Sequence, residues 1–561
     1  MIDIVYVTYN SEKWIRKSIN SLAKSNIDVG QINVIVVDNA SMDDTLHELQ
    51  IIKSELENLF RSFQIVVNNK NMGFGNANNI GFSRGTSDIV CFLNIDTEVL
   101  NDTFSILMHE IKGSKKDVAI WEFRQLPYEH PKMYDPLTGE TDWASGAAFA
   151  IRRKVFQDVG GFDTKLFMYV EDVDLSWRIR YKGYKIKYLP NVKIYHYSYE
   201  DGKFLKLNHQ VYGLINNILL RYRYGNIPKV VMGHIMMLKR MCHKEKLPGI
   251  RIEFIKAYMK HFLLINHFYI YGKYKKCSNN NFTPRFIGTD YTQNRIGAFY
   301  KIRIPETYPL VSIIVRTCGR PCVLKETLLS LRFQTYKNIE IIVLEDGENL
   351  SEALIKGEFN DLNIVYYATK EKVGRSRAGN MAMQMARGKY LNFLDDDDLF
   401  FNDHVEVLVS ELEKSKKQAA YALGLETAIK VKSKNPYIYS IIESRTVHQQ
   451  KFDKVILCHH NYIPIQCAMF EKKLFDLYGG LDEEVDALED WDLWVRFSLH
   501  TDFIYVEKTT SIYRVPYDKK TNKKRQRALD DALVVMREKH KKYETQISVS
   551  VLADLYKDKQ Q

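Results

Sequence analysis

Three acidic stations occur twice along this chain, in one order, and that repeat limits the fold more than any other feature. One hydrophobic run ends at Asp38 (VIVVDNAS) and another at Asp346 (IIVLEDGE). A later run ends in Asn94-Ile95-Asp96 (VCFLNIDTEV), and its counterpart ends in Asp395 to Asp398 (LNFLDDDDLF). A Gly-Gly turn then leads to Glu171-Asp172 (GGFDTKLFMYVEDVDLSWR) and to Glu489-Asp490 (GGLDEEVDALEDWDLWVR). The offsets are 308 for Asp38/Asp346, 301 for Asp96/Asp397 and 318 for Asp172/Asp490. Like stations at nearly constant offset predict two related catalytic domains in one polypeptide.

At 561 residues the chain is too long for one core, and two large domains with or without a helical connector are expected. An apolar fraction of 45% and a charged fraction of 27% are ordinary for a folded soluble protein. Ile2 to Val7 already reads as a strand with no basic stretch before it, which predicts no signal peptide. The best apolar runs, such as His261 to Tyr271, are too short and interrupted to span a bilayer. The seven cysteines are scattered, and Cys318 and Cys322 flank a Gly-Arg-Pro turn without metal-ligand spacing. Reduced thiols in the cytosol are expected. Net charge is +11, yet residues 203–276 hold 15 Lys and Arg against Glu245 and Glu253. That segment alone is +13, and subtracting it from +11 leaves the remainder at −2. A basic connector between neutral domains predicts one anionic surface as partner and no nucleic acid.

Residues 1–202 alternate strand and helix patterns: strands at Asp3–Thr8, Val34–Val37, Gln64–Asn68 and Ile89–Leu93, helices at Ser11–Lys24, Asp43–Phe60 and Asn76–Arg84. Residues 306–516 repeat the order from Val311 onward. The alternation predicts an α/β fold with a Rossmann-like, mostly parallel sheet in each domain. Ligands of such sheets bind beyond the carboxyl ends of the strands, where Thr8, Asp38 and Asp96 fall. Residues 203–305 show helical apolar faces (Tyr212, Ile215, Leu219, Tyr222; Ile252, Ile255, Met259, Phe262) with Arg221, Arg223, Lys256 and Lys260 among them. Such helices either lie on an anionic membrane or buttress the two domains. Residues 517–561 carry a basic helix at Lys519–Lys542, expected to be solvated or to pack.

A sugar nucleotide's diphosphate gains negative charge as it leaves, and Mg²⁺ or Mn²⁺ held by carboxylates neutralises it. Asp96 and Asp397 stand at strand ends suited to that role. A run of four aspartates is most often a solvated loop, but this one follows the apolar strand Tyr390–Leu394 directly. Asp172 and Asp490 enter a helix, where each is either a cap or a general base for an acceptor hydroxyl. Glu-Asp in both copies, where Ser or Thr would serve as a cap, favours the base. Asp174/Arg178 and Asp492/Arg496 are i,i+4 pairs on those helices.

These residues resemble the family 2 glycosyltransferases, whose fold is GT-A. The resemblance covers residues 1–200 and 308–516. The first half is similar to the bacterial rhamnosyltransferase-like branch (VTYNSEKWI, NKNMGFGNANNIG, SGAAFAIRR), and the second to the broader family (VRTCGRP, GRSRAGNMA, LEDWDLWVR). The resemblance implies two GT-A domains joined by a helical connector. In the first site Thr8, Asn10, Asp38 and Asn39 would line the nucleotide pocket, with Gly73, Asn76 and Asn94 toward the diphosphate and sugar. Asp96 and His196 would hold the metal, although a lone His is more often a satisfied polar residue, and Asp172 would be the base. In the second site Thr317, Arg320, Asp346, Arg375 and Asp395 would hold the sugar nucleotide, Asp397 the metal, and Asp490 would be the base. Two departures stand out: Asn94 replaces a common carboxylate, and Ile512-Tyr513-Arg514 lies where a metal-binding His is usual.

The expected activity is bifunctional, metal-dependent, inverting glycosyl transfer from UDP- or dTDP-sugars to a glycan or lipid-linked glycan. Its setting would be a bacterial cytoplasm, at the inner face of the membrane, in O-antigen, capsule or wall glycan synthesis. The rival reading is one active domain beside a degenerate glycan-binding one.

Overall fold

In the computed structural model, residues 1–130, 132–199, 207–242, 249–270, 282–297, 300–485 and 487–545 are described. The remaining parts of the expected connector and of the C-terminal stretch lie outside the described residues. The chain divides into two units, Met1–Ile302 and Arg303–Gln561.

In the first unit the apolar runs form β1 (Ile2–Thr8), β2 (Ile32–Asp38), β3 (Ser62–Val67), β4 (Ile89–Asn94), β5 (Thr97–Val99), β6 (Val118–Leu126), β7 (Ala148–Arg152) and β8 (Lys185–His196). They pair in the order β3-β2-β1-β4-β7-β6-β8-β5. The first four are mutually parallel, and β7 and β5 run antiparallel to their neighbours. Helices cover both faces. Ile4, Tyr6, Val34 and Val36 pack with Ile15, Ile19 and Leu49 on one side. Val5, Ile35 and Phe92 pack with Phe82, Phe156 and Ile179 on the other. This two-sided burial is why the strands read as continuous apolar runs and not as alternating ones. The helix Phe74–Arg84 lies so close to the sheet that a Cβ at Gly81 would come 2.4 Å from Val5 Cγ1.

The second unit repeats the plan with β9 (Val311–Thr317), β10 (Ile339–Glu345), β11 (Ile364–Ala368), β12 (Tyr390–Phe393), β13 (Leu399–Phe400), β14 (Ala419–Lys434), β15 (Tyr437–Thr446), β16 (Ala468–Glu471) and β17 (Phe503–Pro516). Their order is β11-β10-β9-β12-β16-β14-β17-β13, with β15 beside β14. The strands expected from the sequence are present in both units. Each sheet is parallel across its first four strands and mixed beyond them.

The helices Leu207–Tyr224, Ile227–Cys242 and Ile250–His261 belong to the first unit and share a core of Leu214, Ile218, Met237 and Phe254. Arg221 and Arg223, two of the bases noted among the helical apolar faces, are buried. Arg221 donates to Asn217 Oδ1 at 2.7 Å and to the Lys229 carbonyl at 3.0 Å. Arg223 spans Asp174 and Asp163, at 2.6 Å each, and Tyr224 Oη adds a bond to Asp174 Oδ1 at 2.9 Å. In the second unit the helix Lys519–His540 packs through the buried Met536. It sets Lys539 Nζ 2.8 Å from Asp492, and Tyr543 Oη donates to the same carboxylate at 3.0 Å. The expected i,i+4 pairs are present, Asp174/Arg178 at 2.8 Å and Asp492/Arg496 at 2.9 Å.

Removing one partner of a buried ion pair leaves the other charge uncompensated, so Arg223→Ala should cost about 3–5 kcal/mol in denaturant unfolding. Burial alone would raise Asp163, but Arg223 and His267 outweigh it and lower this carboxyl to about 2. Its contribution is therefore full above the ordinary carboxylate pKa and lost as pH falls toward 2. The variant's deficit should shrink over that window.

Candidate active site

The first site assembles where β1, β2 and β4 end. Thr8 Oγ1 donates to Asp38 Oδ1 at 3.0 Å, and Ser41 donates to both Asp38 oxygens, through Oγ at 2.6 Å and N–H at 3.1 Å. Asn10, with a φ of 51°, donates its N–H to Ser41 Oγ at 2.9 Å. Asn39 holds the next loop: its Oδ1 accepts from the Met72 N–H at 2.8 Å, and its Nδ2 donates to Asn71 Oδ1 at 2.8 Å. That loop ends at Gly73, whose φ of 83° and whose place 2.4 Å (as a hypothetical Cβ) from the Phe167 carbonyl both require glycine. Asn76 lies half-buried in the first turn of the helix that follows.

Asn94 ends β4 with its Oδ1 buried and without a hydrogen-bond partner. Two residues on, Asp96 Oδ1 lies 3.3 Å from His196 Nε2. The approach is close, yet Nε2 makes no hydrogen bond there, while His196 Nδ1 contacts Gln125 Oε1 at 2.8 Å. A ring held from behind with its other nitrogen buried and unsatisfied fits a ligand position. Among the described residues no three or more His, Cys, Asp or Glu side chains group as a metal site. Asp96 and His196 are side chains that could hold a hard cation.

Asp172 stands at the start of the helix Glu171–Tyr181, behind Val170 at a φ of 74°. A β-branched residue there stores strain, which marks functional sites. Asp172 Oδ1 accepts from the Val173 N–H at 2.8 Å, as a first-turn carboxylate does, but Oδ2 also accepts from Gly146 N–H at 2.7 Å. Burial raises its pKa against those two bonds. Burial and Asp172 push the neighbouring Glu171 well up, and Glu171 Oε2 finds no partner. Beneath them Lys132 pairs with Glu122 at 2.5 Å, and burial drives both toward neutrality, Glu122 up and Lys132 down. Asn94, Asp172 and His196 all face one cavity of about 850 Å³. His209, Gly213, Arg240 and Tyr291, from the segment expected to be a connector, also line it.

The second site follows the same backbone plan with different side chains. The register pairs Thr8 with Asp38 and Thr317 with Glu345, so Glu345, and not Asp346, matches Asp38. Glu345 is buried, accepting the Ser351 N–H at 2.9 Å. Asp346 matches Asn39 and does the same work, accepting the Val373 N–H at 2.7 Å and the Gly374 N–H at 3.2 Å. Arg316 forks onto Asp395 at 2.8 and 2.9 Å and reaches Glu489 at 3.1 Å. Thr317 Oγ1 donates to Asp396 at 2.7 Å, and Arg320 bonds Asp396 at 3.0 Å and Asp397 at 3.2 Å. Arg514 donates its N–H to Asp398 at 3.2 Å. Arg375 is largely exposed, 3.9 Å from Glu489. Asp490 accepts from the Trp491 N–H at 2.8 Å and from Asn461 Nδ2 at 3.0 Å. Burial, then the charge of Glu489, pushes it up to about 7.

At the position of His196 the second unit has Tyr513, which turns away to Glu426 at 3.3 Å. With arginines on the aspartate run and no histidine, these residues do not fit a cation as they stand. A groove of about 860 Å³ at the opposite end of this sheet, walled by Lys414, Phe452 and Tyr505, contains none of the expected residues.

Sequence reading missed Gln125, Gly146, Asn461 and Arg316. Arg316 had a signal, a charge inside the apolar run of β9. Gly146 acts through its backbone N–H and had none.

The sequence profile of glycosyl transferase family 2 matches residues 3–174 and 312–477. Over 215 residues the chain is 28% identical to an uncharacterized glycosyltransferase of Rickettsia typhi, covering 38% of this chain and 66% of that one. Over 191 residues it is 29% identical to one from Rickettsia prowazekii, covering 34% and 58%. The chain thus spans less than two thirds of either relative. A mannosyltransferase of Pyrobaculum calidifontis, solved with GDP-Man and Mn²⁺, is 17% identical, with a TM-score of 0.31 over 48% of this chain and 72% of that one. That score is too low for the likeness to bear on this chain.

Arg320 stands against Asp396 and Asp397, so the second site should take up no measurable Mn²⁺ while that charge is in place, and Arg320→Ala should raise its affinity on the order of tenfold, the weight of one nearby charge. Calorimetric titration with Mn²⁺ on an Asp96→Ala background, where the first site is silenced, reads that change.

Proposed function

This chain belongs to glycosyl transferase family 2, and from that premise we propose that both halves are inverting transferases using nucleotide-diphosphate sugars. Together they extend a bacterial cell-surface polysaccharide (O-antigen, capsule or wall glycan) on a lipid-linked acceptor at the inner face of the cell membrane. One observation carries the reading: a buried carboxyl with a raised pKa, Asp172, faces a cavity shared with Asn94 and His196. A buried carboxyl held above its ordinary pKa, facing a cavity of about 850 Å³, is what transfer to a hydroxyl requires.

In the first half Thr8, Asn10, Asp38 and Asn39 form the nucleotide side, and the Gly73 loop lets backbone approach the diphosphate. Asp96 and His196 would hold Mg²⁺ or Mn²⁺, which when bound neutralises charge on the leaving diphosphate. The acceptor hydroxyl attacks the anomeric carbon from the face opposite the nucleotide, and Asp172 takes its proton. Gly146 and Val173 keep the carboxylate aimed through their N–H groups. In the second half Asp490 takes the proton and Asn461 orients it. Asp346 holds the Gly374 loop, and Thr317, Arg320, Arg375 and Asp395 face the donor.

The rival reading, one active half beside a degenerate glycan-binding half, draws support from the arginines on Asp395, Asp396 and Asp397. Asp172→Asn and Asp490→Asn in the full chain separate the two. On the bifunctional reading each slows one transfer by about 10²–10⁴-fold, and mass spectrometry of products from a panel of sugar nucleotides shows arrest at different intermediates. Normal elongation by Asp490→Asn alone selects the rival. The Asp490-dependent step should also rise with pH through about 7 and level off above it, because the base acts only when deprotonated.

A further inference from the structure

The helices Ile227–Cys242 and Ile250–His261 both turn an apolar stripe outward. On the first, Ile227, Val231, Ile235 and Leu238 recur at helical spacing and are exposed, Ile227 at 79%. On the second and the turn after it, Ile252, Ile255, Met259 and Leu263 do the same, Met259 at 64% and Leu263 at 83%. The opposite faces, through Met237, Ile250 and Phe254, pack on Leu214, Ile215 and Ile218 of one common helix, so both stripes point away from it. A soluble surface scatters single apolar residues, and paired stripes of this size mark a contact.

The charge beside the stripes chooses the partner. The described residues 207–242 and 249–270 contain eight Lys and Arg and one acid, Glu253. Two of those bases, Arg221 and Arg223, are buried, whereas Lys239, Arg251, Lys256 and Lys260 are exposed along the stripes. A protein partner of opposite charge would leave the apolar residues unexplained, and an apolar one the bases. An anionic bilayer takes both, apolar side chains below the headgroups and ammonium groups among the phosphates. No described helix is long and apolar enough to cross a membrane, so the helices lie on it. We propose that this two-helix face seats the first unit on an anionic lipid surface. The helix Leu207–Tyr224, on which both stripe-bearing helices pack, also supplies the cavity wall at His209 and Gly213, so the seat holds that wall of the cavity close to the lipid. This deepens the membrane placement above and rests on it only for the identity of the acceptor.

Flotation of the full chain with vesicles tests it, because lipid binding is read without any turnover. Wild type should float with vesicles holding phosphatidylglycerol and much less with phosphatidylcholine alone. Ile255→Ser/Met259→Ser/Leu263→Ser should lower partitioning at least tenfold, and Lys256→Glu/Lys260→Glu on the order of a hundredfold, at unchanged melting temperature. Wild type left behind by both vesicle types overturns the proposal, as does a triple variant that floats normally. Self-association lost in the triple variant, without flotation of wild type, also overturns it and assigns the face to a second copy of the chain. Flotation without any transfer activity keeps the lipid face and fails only the transferase reading.

Discussion

Each half depends on a buried aspartate that faces away from its proposed base. Asp174 and Asp492 stand two residues beyond the proposed bases, on the inner side of the same helices. Each is gripped by an arginine one turn on and by a cation and a tyrosine from a later helix or the turn just after it. Burial alone would lift Asp492, but His540, Lys539 and Arg496 outweigh it and hold it below the carboxylate range. The grip fixes the helix start, and the helix start sets Asp172 and Asp490. Two unrelated stretches of chain, Arg223-Tyr224 and Lys539 to Tyr543, thus solve one mechanical problem.

The copies agree in backbone and differ in charge. Both place glycine before a helix, Phe74–Arg84 and Arg375–Met385, at φ 83° and 91°, and a left-handed residue before the Glu-Asp pair. Where the first half has Val7 and Ser11, however, the second has Arg316 and Arg320, which tie down its aspartate run. Glu171 is accordingly left without a partner for Oε2, whereas Glu489 is ion-paired and its charge lifts Asp490. One scaffold therefore presents two electrostatic environments to its ligands, which is the physical basis for expecting unlike donors.

Much of this was legible in the residues. Strand ends, the acidic stations and the helix-opening Glu-Asp follow from period and position. Register does not: the Glu345-Asp346 doublet offers two candidates for one role, and the strand pairing separates them, together with the hydrogen bond from the Asp346 N–H to the Thr317 carbonyl that matches the one from Asn39 to Thr8. The basic helices showed their amphipathic pattern, but not which stripe was inward. Ile215 and Leu219 are core, Ile252 and Met259 are not, and Arg223 is a strut. Gly146 and Gln125 serve through a backbone N–H and a second contact, features that no residue type announces.

The terminal helix has a practical consequence for dissecting the chain. Its basic, polar look invites cutting the polypeptide after Pro516, where the last strand ends. Such a fragment would keep every acidic station yet lose Lys539, His540 and Tyr543, leaving Asp492 moored by Arg496 alone of these partners. Silence from that fragment would report a slackened hinge under Asp490 and say nothing of whether the intact half is a working enzyme.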